Sequence, residues 1–225
     1  FLLGRPSIGA TDDPPCRMKI LFSAVFKPGT EAPGKDGPVM LSQAAELSSL
    51  GFFQRSTAKE VFVMFSRQFA KASTEPGQRS SVRKDGYMSH VYHSPMGVVA
   101  VCFADDEYPQ RVAFGYLSKM CEDFVRAVPQ SQGACGTADL PHEALFAAKH
   151  LELLVKFQDP GQADQLTQIM AELEQTKLVL HDTIEKALER GCKIETLINK
   201  SNDLSGSSKM FFKTAKKQNQ CCTFM

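Results

Sequence analysis

Residues 166–218, LTQIMAELEQTKLVLHDTIEKALERGCKIETLINKSNDLSGSSKMFFKTAKKQ, hold no proline, and their hydrophobic positions step alternately by three and four. The stepping positions are Leu166, Ile169, Leu173, Thr176, Leu180, Thr183, Ala187, Arg190, Ile194, Leu197, Ser201, Leu204, Ser208, Phe211, Ala215 and Gln218. Ten of the sixteen are apolar and four are Ser or Thr, which leaves two strongly polar residues, Arg190 in the middle of the seam and Gln218 at its frayed end. A 3.5-residue period sustained this long is the pattern of a coiled coil. As one helix the segment would reach ~80 Å at 1.5 Å per residue. Such a helix cannot bury its stripe alone, so the pattern predicts partner helices. A second arrangement also fits, in which the helix breaks and folds back on the rest of the chain. Gly191 and Gly206 suit the breaks, since each costs about 1 kcal/mol relative to Ala inside a helix. Ile184, Leu188 and Ile198 add apolar surface off the seam, which suits folding back in the free chain.

Upstream, KILFSAVFK (19–27) and PVMLSQ (38–43) read as strands joined by the turn-rich PGTEAPGKDG. Phe52–Ala72 reads as a helix, with Ala58, Val61, Phe62, Phe65 and Phe69 spaced by three and four. Ser80–Lys84 and Tyr87–His93 flank Asp85-Gly86, a strong hairpin signal, and GVVAVCF (97–103) makes a further strand. The helical period returns over Tyr108–Val128, with Pro109 in its first turn, and again over His142–Phe157. The order β-β-α-β-β-β-α-α predicts an α+β domain, with a five-stranded antiparallel sheet covered by three helices. The chain therefore divides into an N-terminal extension of 1–17, expected to be disordered, and a compact domain of 18–157. A linker of 158–163, a long helix of 164–220 and a short C-terminal tail of 221–225 follow. Met18 is the expected natural start.

The length of 225 residues is about one and a half domains, and the long helix supplies the half. Lys plus Arg is 26 against 25 Asp plus Glu, which argues against a nucleic-acid binder with a wholly basic face. Hydrophobic residues at 43% exclude a wholly disordered chain. No apolar run approaches the ~20 residues of a membrane-spanning helix. Seven cysteines without framework spacing, and no visible signal peptide, fit a reducing cytosolic setting.

Arg190 carries the functional question. A guanidinium buried in a helical bundle costs several kcal/mol unless acceptors face it. A lone polar residue at a seam position sets register and oligomer state. From the pattern alone, a matched buried Arg and an Arg snorkelling to solvent remain equally open.

The residues LHDTIEKALERGCKIETLINKSNDLS (180–205) and SKMFFKTAKKQNQCC (208–222) resemble the R-SNARE motif of the synaptobrevin class. GFFQRSTAKE (51–60), HVY (90–92) and ADDEYPQRVAF (104–114) resemble the longin domain of the prenylated, Ykt-type longin SNAREs. The resemblance covers most of 18–225 in one order and frame. It implies a longin (profilin-like) domain followed by a long SNARE coiled-coil helix. One R-SNARE helix then joins three Q-SNARE helices, of syntaxin and SNAP type, in a parallel bundle that zips toward the membranes and drives docking and fusion. Arg190 would be the central-layer Arg, facing three Gln side chains. Leu166, Ile169, Leu173, Leu180, Ala187, Ile194, Leu197, Leu204, Phe211 and Ala215 would be the hydrophobic layers. The resemblance also implies a regulatory longin–SNARE contact within the chain. It further implies traffic between the cytosol and the cytosolic face of Golgi, ER-derived and endosomal membranes. The long 28–37 loop and the 129–141 loop depart from the family, and no role is assigned to them.

The last four residues, Cys222-Thr223-Phe224-Met225, fit a C-a-a-X box of the farnesyl type, although Thr and Phe replace the commoner aliphatic pair. The resemblance implies palmitate or a second prenyl group on Cys221. One chain binds a membrane only marginally and two hold it stably. Lys209, Lys213, Lys216 and Lys217 would add about 1 kcal/mol each at an anionic surface. These covalent lipids are the only groups expected in place of a cofactor.

Other patterns carry less. Gly29–Lys35 matches most of a phosphate-binding loop, but Asp36 replaces the Ser/Thr needed for Mg²⁺ and a strand follows in place of a helix. His90 and His93 lack further ligands at metal spacing, and the Cys221–Cys222 pair has no Cys or His upstream until Cys192. Cys102 and Cys121 lie in apolar periods and read as core thiols. No metal site and no catalytic residue is expected. Two rival readings remain: a longin-type adaptor subunit without fusion activity, and an acyl-transfer enzyme using Cys221 or Cys222.

Overall fold

The computed structural model describes residues 19–31, 34, 37–84, 86–128, 143–161, 163, 178–181, 183–188 and 193–221. The compact domain holds β1 (Ile20–Glu31), β2 (Pro38–Ala45), α1 (Phe52–Ala72), β3 (Arg79–Lys84), β4 (Tyr87–Ser94), β5 (Val98–Asp105), α2 (Gln110–Ala127) and α3 (Glu143–Lys156). β6 (Leu178–His181), α4 (Ile184–Ala187), α5 (Ile194–Lys200) and α6 (Gly206–Cys221) follow. The strands form one sheet in the order β2-β1-β5-β4-β3-β6.

Alternation along the strands divides the core. In β5, Val99, Val101 and Phe103 point to the α1 side, while Ala100, Cys102 and Ala104 point to the side of α2 and α3. Small residues on the second face let α2 lie close to the sheet, where Tyr116, Leu117 and Met120 are fully buried. On the first face, Phe62 of α1 stacks on Phe22 at 5.8 Å and lies 4.7 Å from Phe103. Gly86, at φ 82°, makes the β3–β4 turn expected at Asp85-Gly86, a conformation that costs glycine little. Gly29 to Glu31, which open the stretch resembling a phosphate loop, end β1, and the next element is the strand β2 rather than a helix.

The α+β class and the three covering helices match the expectation. Two details correct it. The sheet has six strands rather than five, and it is mixed, because β6 pairs parallel to β3, with Leu178 opposite Arg79 and His181 opposite Val82. The sixth strand comes from the segment expected to be helical. In this free chain the described part of that segment is a strand and three helices, not one long rod. An isolated amphipathic helix gains too little to stay exposed, and the domain beside it offers an apolar face to cover. The break after α5 falls at Ser201–Ser205, and Gly206 opens α6 rather than ending a helix. Gly191 lies outside the described residues.

Candidate interaction surface

α1 has two working faces. Ala58, Val61, Phe62, Phe65 and Phe69 pack in the apolar layer over the sheet. Thr57, Glu60, Met64 and Arg67, again spaced by three and four, form a second stripe on which the C-terminal segment lies. Ile184, Leu188, Leu197, Ile198, Leu204 and Phe212 of that segment are buried in one apolar cluster with α1, Met40, Val82 and Val91. Three of these six, Ile184, Leu188 and Ile198, are the off-seam residues that suited folding back.

Polar contacts set the segment's course. The Thr183 hydroxyl accepts the Lys186 amide at 3.3 Å and caps α4. At the next break, the Ser201 hydroxyl accepts the Asp203 amide at 3.1 Å, and the Ser205 hydroxyl accepts the Ser208 amide at 3.2 Å to start α6. The Ser205 amide donates to Glu60 Oε2 at 2.8 Å. Burial alone pushes the Glu60 carboxyl up, but the Ser205 amide, with the Ser208 and Ser205 hydroxyls, outweighs it and holds the group below the ordinary carboxylate range. The Ser208 hydroxyl, itself buried, reaches the Thr57 hydroxyl at 3.4 Å. Arg67 donates from Nε to Asp203 Oδ2 at 2.9 Å and from Nη2 to Oδ1 at 3.2 Å, a bidentate pair with side chains 0% and 4% exposed. Its Nη1 donates to the Pro38 carbonyl, and its guanidinium lies over the Phe26 ring at 5.9 Å.

The expected layer residues fall into distinct places. Leu197 and Leu204 are buried on the domain, and Ala187 and Ile194 pack against it half-buried. Leu180 lies in β6 with 61% of its surface exposed, and Phe211 is 43% exposed on α6. Ala215 and Cys221 lie within α6, and nothing is described of their side chains. Leu166, Ile169, Leu173, Arg190 and Cys222 lie outside the described residues. Sequence reasoning missed Glu60, Arg67, Asp203 and Phe212. The Thr57-Glu60-Met64-Arg67 spacing was a legible signal for the first two, since it marks a second stripe beside the apolar one.

Among the described residues no group of three or more His, Cys, Asp or Glu is placed to hold a metal ion. His93 Nδ1 lies 3.0 Å from the Ser73 carbonyl, and His90 Nδ1 lies 2.8 Å from the Ser81 hydroxyl. Burial pushes the His90 imidazole down to about 4. Cys102 and Cys121 are buried core thiols, with burial pushing both well above the usual thiol value. No helix among the described residues is long and apolar enough to cross a membrane.

Two family models match the chain. The longin model, described as a regulated-SNARE-like domain, matches residues 47–144, and the synaptobrevin model matches residues 165–223. The chain is 42% identical to the VAMP-like protein YKT61 of Arabidopsis thaliana over 92% of its own length and all of that protein's. It is 38% identical to the synaptobrevin homolog YKT6 of Saccharomyces cerevisiae with the same coverage. It is also 42% identical to the synaptobrevin homolog ykt6 of Schizosaccharomyces pombe, over 81% of this chain and 90% of that one.

Proposed function

The chain belongs to the Ykt6-type longin R-SNAREs, and from that premise we propose how its two halves share the work of membrane fusion. It is an R-SNARE with a longin domain, acting in vesicle trafficking and fusion with SNARE partners in a complex. The partners are three Q-SNARE helices, of syntaxin and SNAP type. Arg190 enters the centre of the bundle against their Gln side chains, which supply the acceptors a buried guanidinium needs. Leu166, Ile169, Leu173, Leu180, Ala187, Ile194, Leu197, Leu204, Phe211 and Ala215 form the apolar layers above and below it, and their burial draws two bilayers together.

Attachment to the membrane is through lipid: farnesyl on Cys222, and palmitate or a second prenyl group on Cys221. The chain cycles between the cytosol and the cytosolic face of Golgi, ER-derived and endosomal membranes. One observation carries the regulatory part of this reading. Leu197 and Leu204, both seam residues, are buried against the longin domain, so one apolar stripe has two competing covers. The free chain is a closed form that must open before the bundle zips.

The test is reconstitution. The full chain, mixed with three Q-SNARE helices on liposomes, is expected to form a heat- and detergent-resistant bundle and to mix lipids. Arg190→Ala is expected to weaken assembly and slow fusion. Unchanged assembly and fusion in that variant would sink the central-layer assignment.

A further inference from the structure

We propose that the Arg67–Asp203 ion pair, seated against the β1–β2 hairpin, is the latch that holds the SNARE segment closed on the longin domain. The proposal rests on the reading that the chain opens to assemble, and it names the contact that resists opening. Three observations converge on the pair. Its geometry is bidentate, at 2.9 and 3.2 Å, with both side chains almost fully shielded from water. Ordinary surface pairs contribute little, whereas removing one partner of a shielded pair is strongly destabilising.

The pair is also tied to the β1–β2 hairpin. The Pro38 carbonyl accepts from Arg67 Nη1, and the Gly34 carbonyl accepts from Asn202 Nδ2. A Cβ on Gly37 would lie 2.8 Å from Arg67 Cγ, so only glycine lets the hairpin close over the arginine stem. The hairpin, α1 and the 201–205 turn thus meet at one guanidinium.

The third observation is positional. Asp203 lies between the seam positions Ser201 and Leu204 and outside the seam itself. Its carboxylate therefore faces away from the bundle core in the zipped state and engages Arg67 only in the closed state. A group with different surroundings in two states biases the equilibrium between them by the difference in its interactions. Loss of the carboxylate favours opening and leaves the bundle layers alone.

Hydrogen exchange on the full chain, followed by NMR, tests this. The probes are the Leu197 and Ser201 amides, hydrogen-bonded to the Lys193 and Leu197 carbonyls. Ala24 and Val101, paired across β1 and β5, serve as controls. In Asp203→Asn the probe amides are expected to exchange about 100-fold faster, on the order of losing one partner of a shielded pair, with the controls unchanged. Bundle assembly is expected to quicken, with the melting of the assembled bundle unaltered. The double variant Arg67→Met/Asp203→Leu, which replaces the pair by apolar contact, is expected to restore most of the protection. Wild-type protection that Asp203→Asn leaves intact would overturn the latch while leaving the closed form standing. Probe amides already unprotected in the wild type would overturn the closed form itself, and the latch with it.

Discussion

His150 Nε2 on α3 lies 2.8 Å from the Ser23 hydroxyl in β1, joining residues 127 positions apart inside the core. The same ring reaches the Ser42 hydroxyl from Nδ1 at 2.7 Å, and Ser23 also meets the Tyr116 hydroxyl at 2.7 Å. A neutral imidazole offers one donor and one acceptor, and rotatable hydroxyls on both sides satisfy it in either tautomer.

Burial pushes His150 down to about 3 from its ordinary 6.5, and the ring is neutral in the fold. The unfolded chain takes up the proton below about pH 6.5, so the unfolded state binds more protons as acidity rises. Stability is complete above 6.5 and is lost progressively toward pH 3, by up to about 1.36 kcal/mol for each step of one in pH. Urea midpoints measured from pH 7.5 to 4.5 are expected to fall. His150→Gln is expected to be less stable at pH 7.5 but to show a shallower fall. His90, also depressed by burial, contributes a remaining slope of the same sign.

Ile198 separates closure from assembly. It is buried in the cluster under α1 yet lies off the 3.5-residue seam. Ile198→Ser removes a buried side chain worth about 1.5–3 kcal/mol, so protease cleavage between 184 and 212 is expected to rise tenfold or more. Assembly with Q-SNARE helices is expected to speed up. Slower cleavage, or a weakened bundle, would contradict this division of roles.

The aromatic layer holds the longin domain itself. Phe62→Ala empties a site 5.8 Å from the Phe22 ring and 4.7 Å from the Phe103 ring. A cost of about 3–5 kcal/mol is expected in denaturant unfolding, with the whole sheet losing stability together.

Gly37 makes a local prediction. At φ 138° and with Arg67 Cγ in the way, Gly37→Ala meets both backbone strain and a clash, and about 1–3 kcal/mol of destabilisation is expected. The substitution is expected to raise proteolysis of the 184–212 segment more than it lowers the stability of the sheet.

The C-terminus divides by cysteine. Cys222→Ser is expected to remove the prenyl mass from the C-terminal peptide and to leave the chain in the soluble fraction. Cys221→Ser is expected to keep one prenyl group and bind vesicles only weakly and reversibly. Mass spectrometry and vesicle flotation read the two outcomes.

Local signals carried the compact domain a long way. Short strand-like runs between turn signals placed β1 to β5, helical spacing of apolar residues placed α1 to α3, and Asp85-Gly86 placed the turn between β3 and β4. The spacing set Arg67 on a second stripe of α1, but not as one half of a buried ion pair. A charged residue on a helix is ordinarily solvated, and its partner Asp203 lies 136 positions away.

What the sequence by itself determined is the amphipathic stripe of 166–218 and the need for something to cover it. Periodicity records which residues seek burial and is silent on the surface that buries them. In the free chain the domain covers part of the stripe, at Leu197 and Leu204, and leaves Leu180 and Phe211 exposed. Only the tertiary structure decided the free chain's answer: Leu178–His181 became a sixth strand, and Leu197, Ile198 and Leu204 settled on α1. The physical reason is proximity. A tethered apolar face competes at high effective concentration, and the off-seam residues Ile184, Leu188 and Ile198 add burial against the domain.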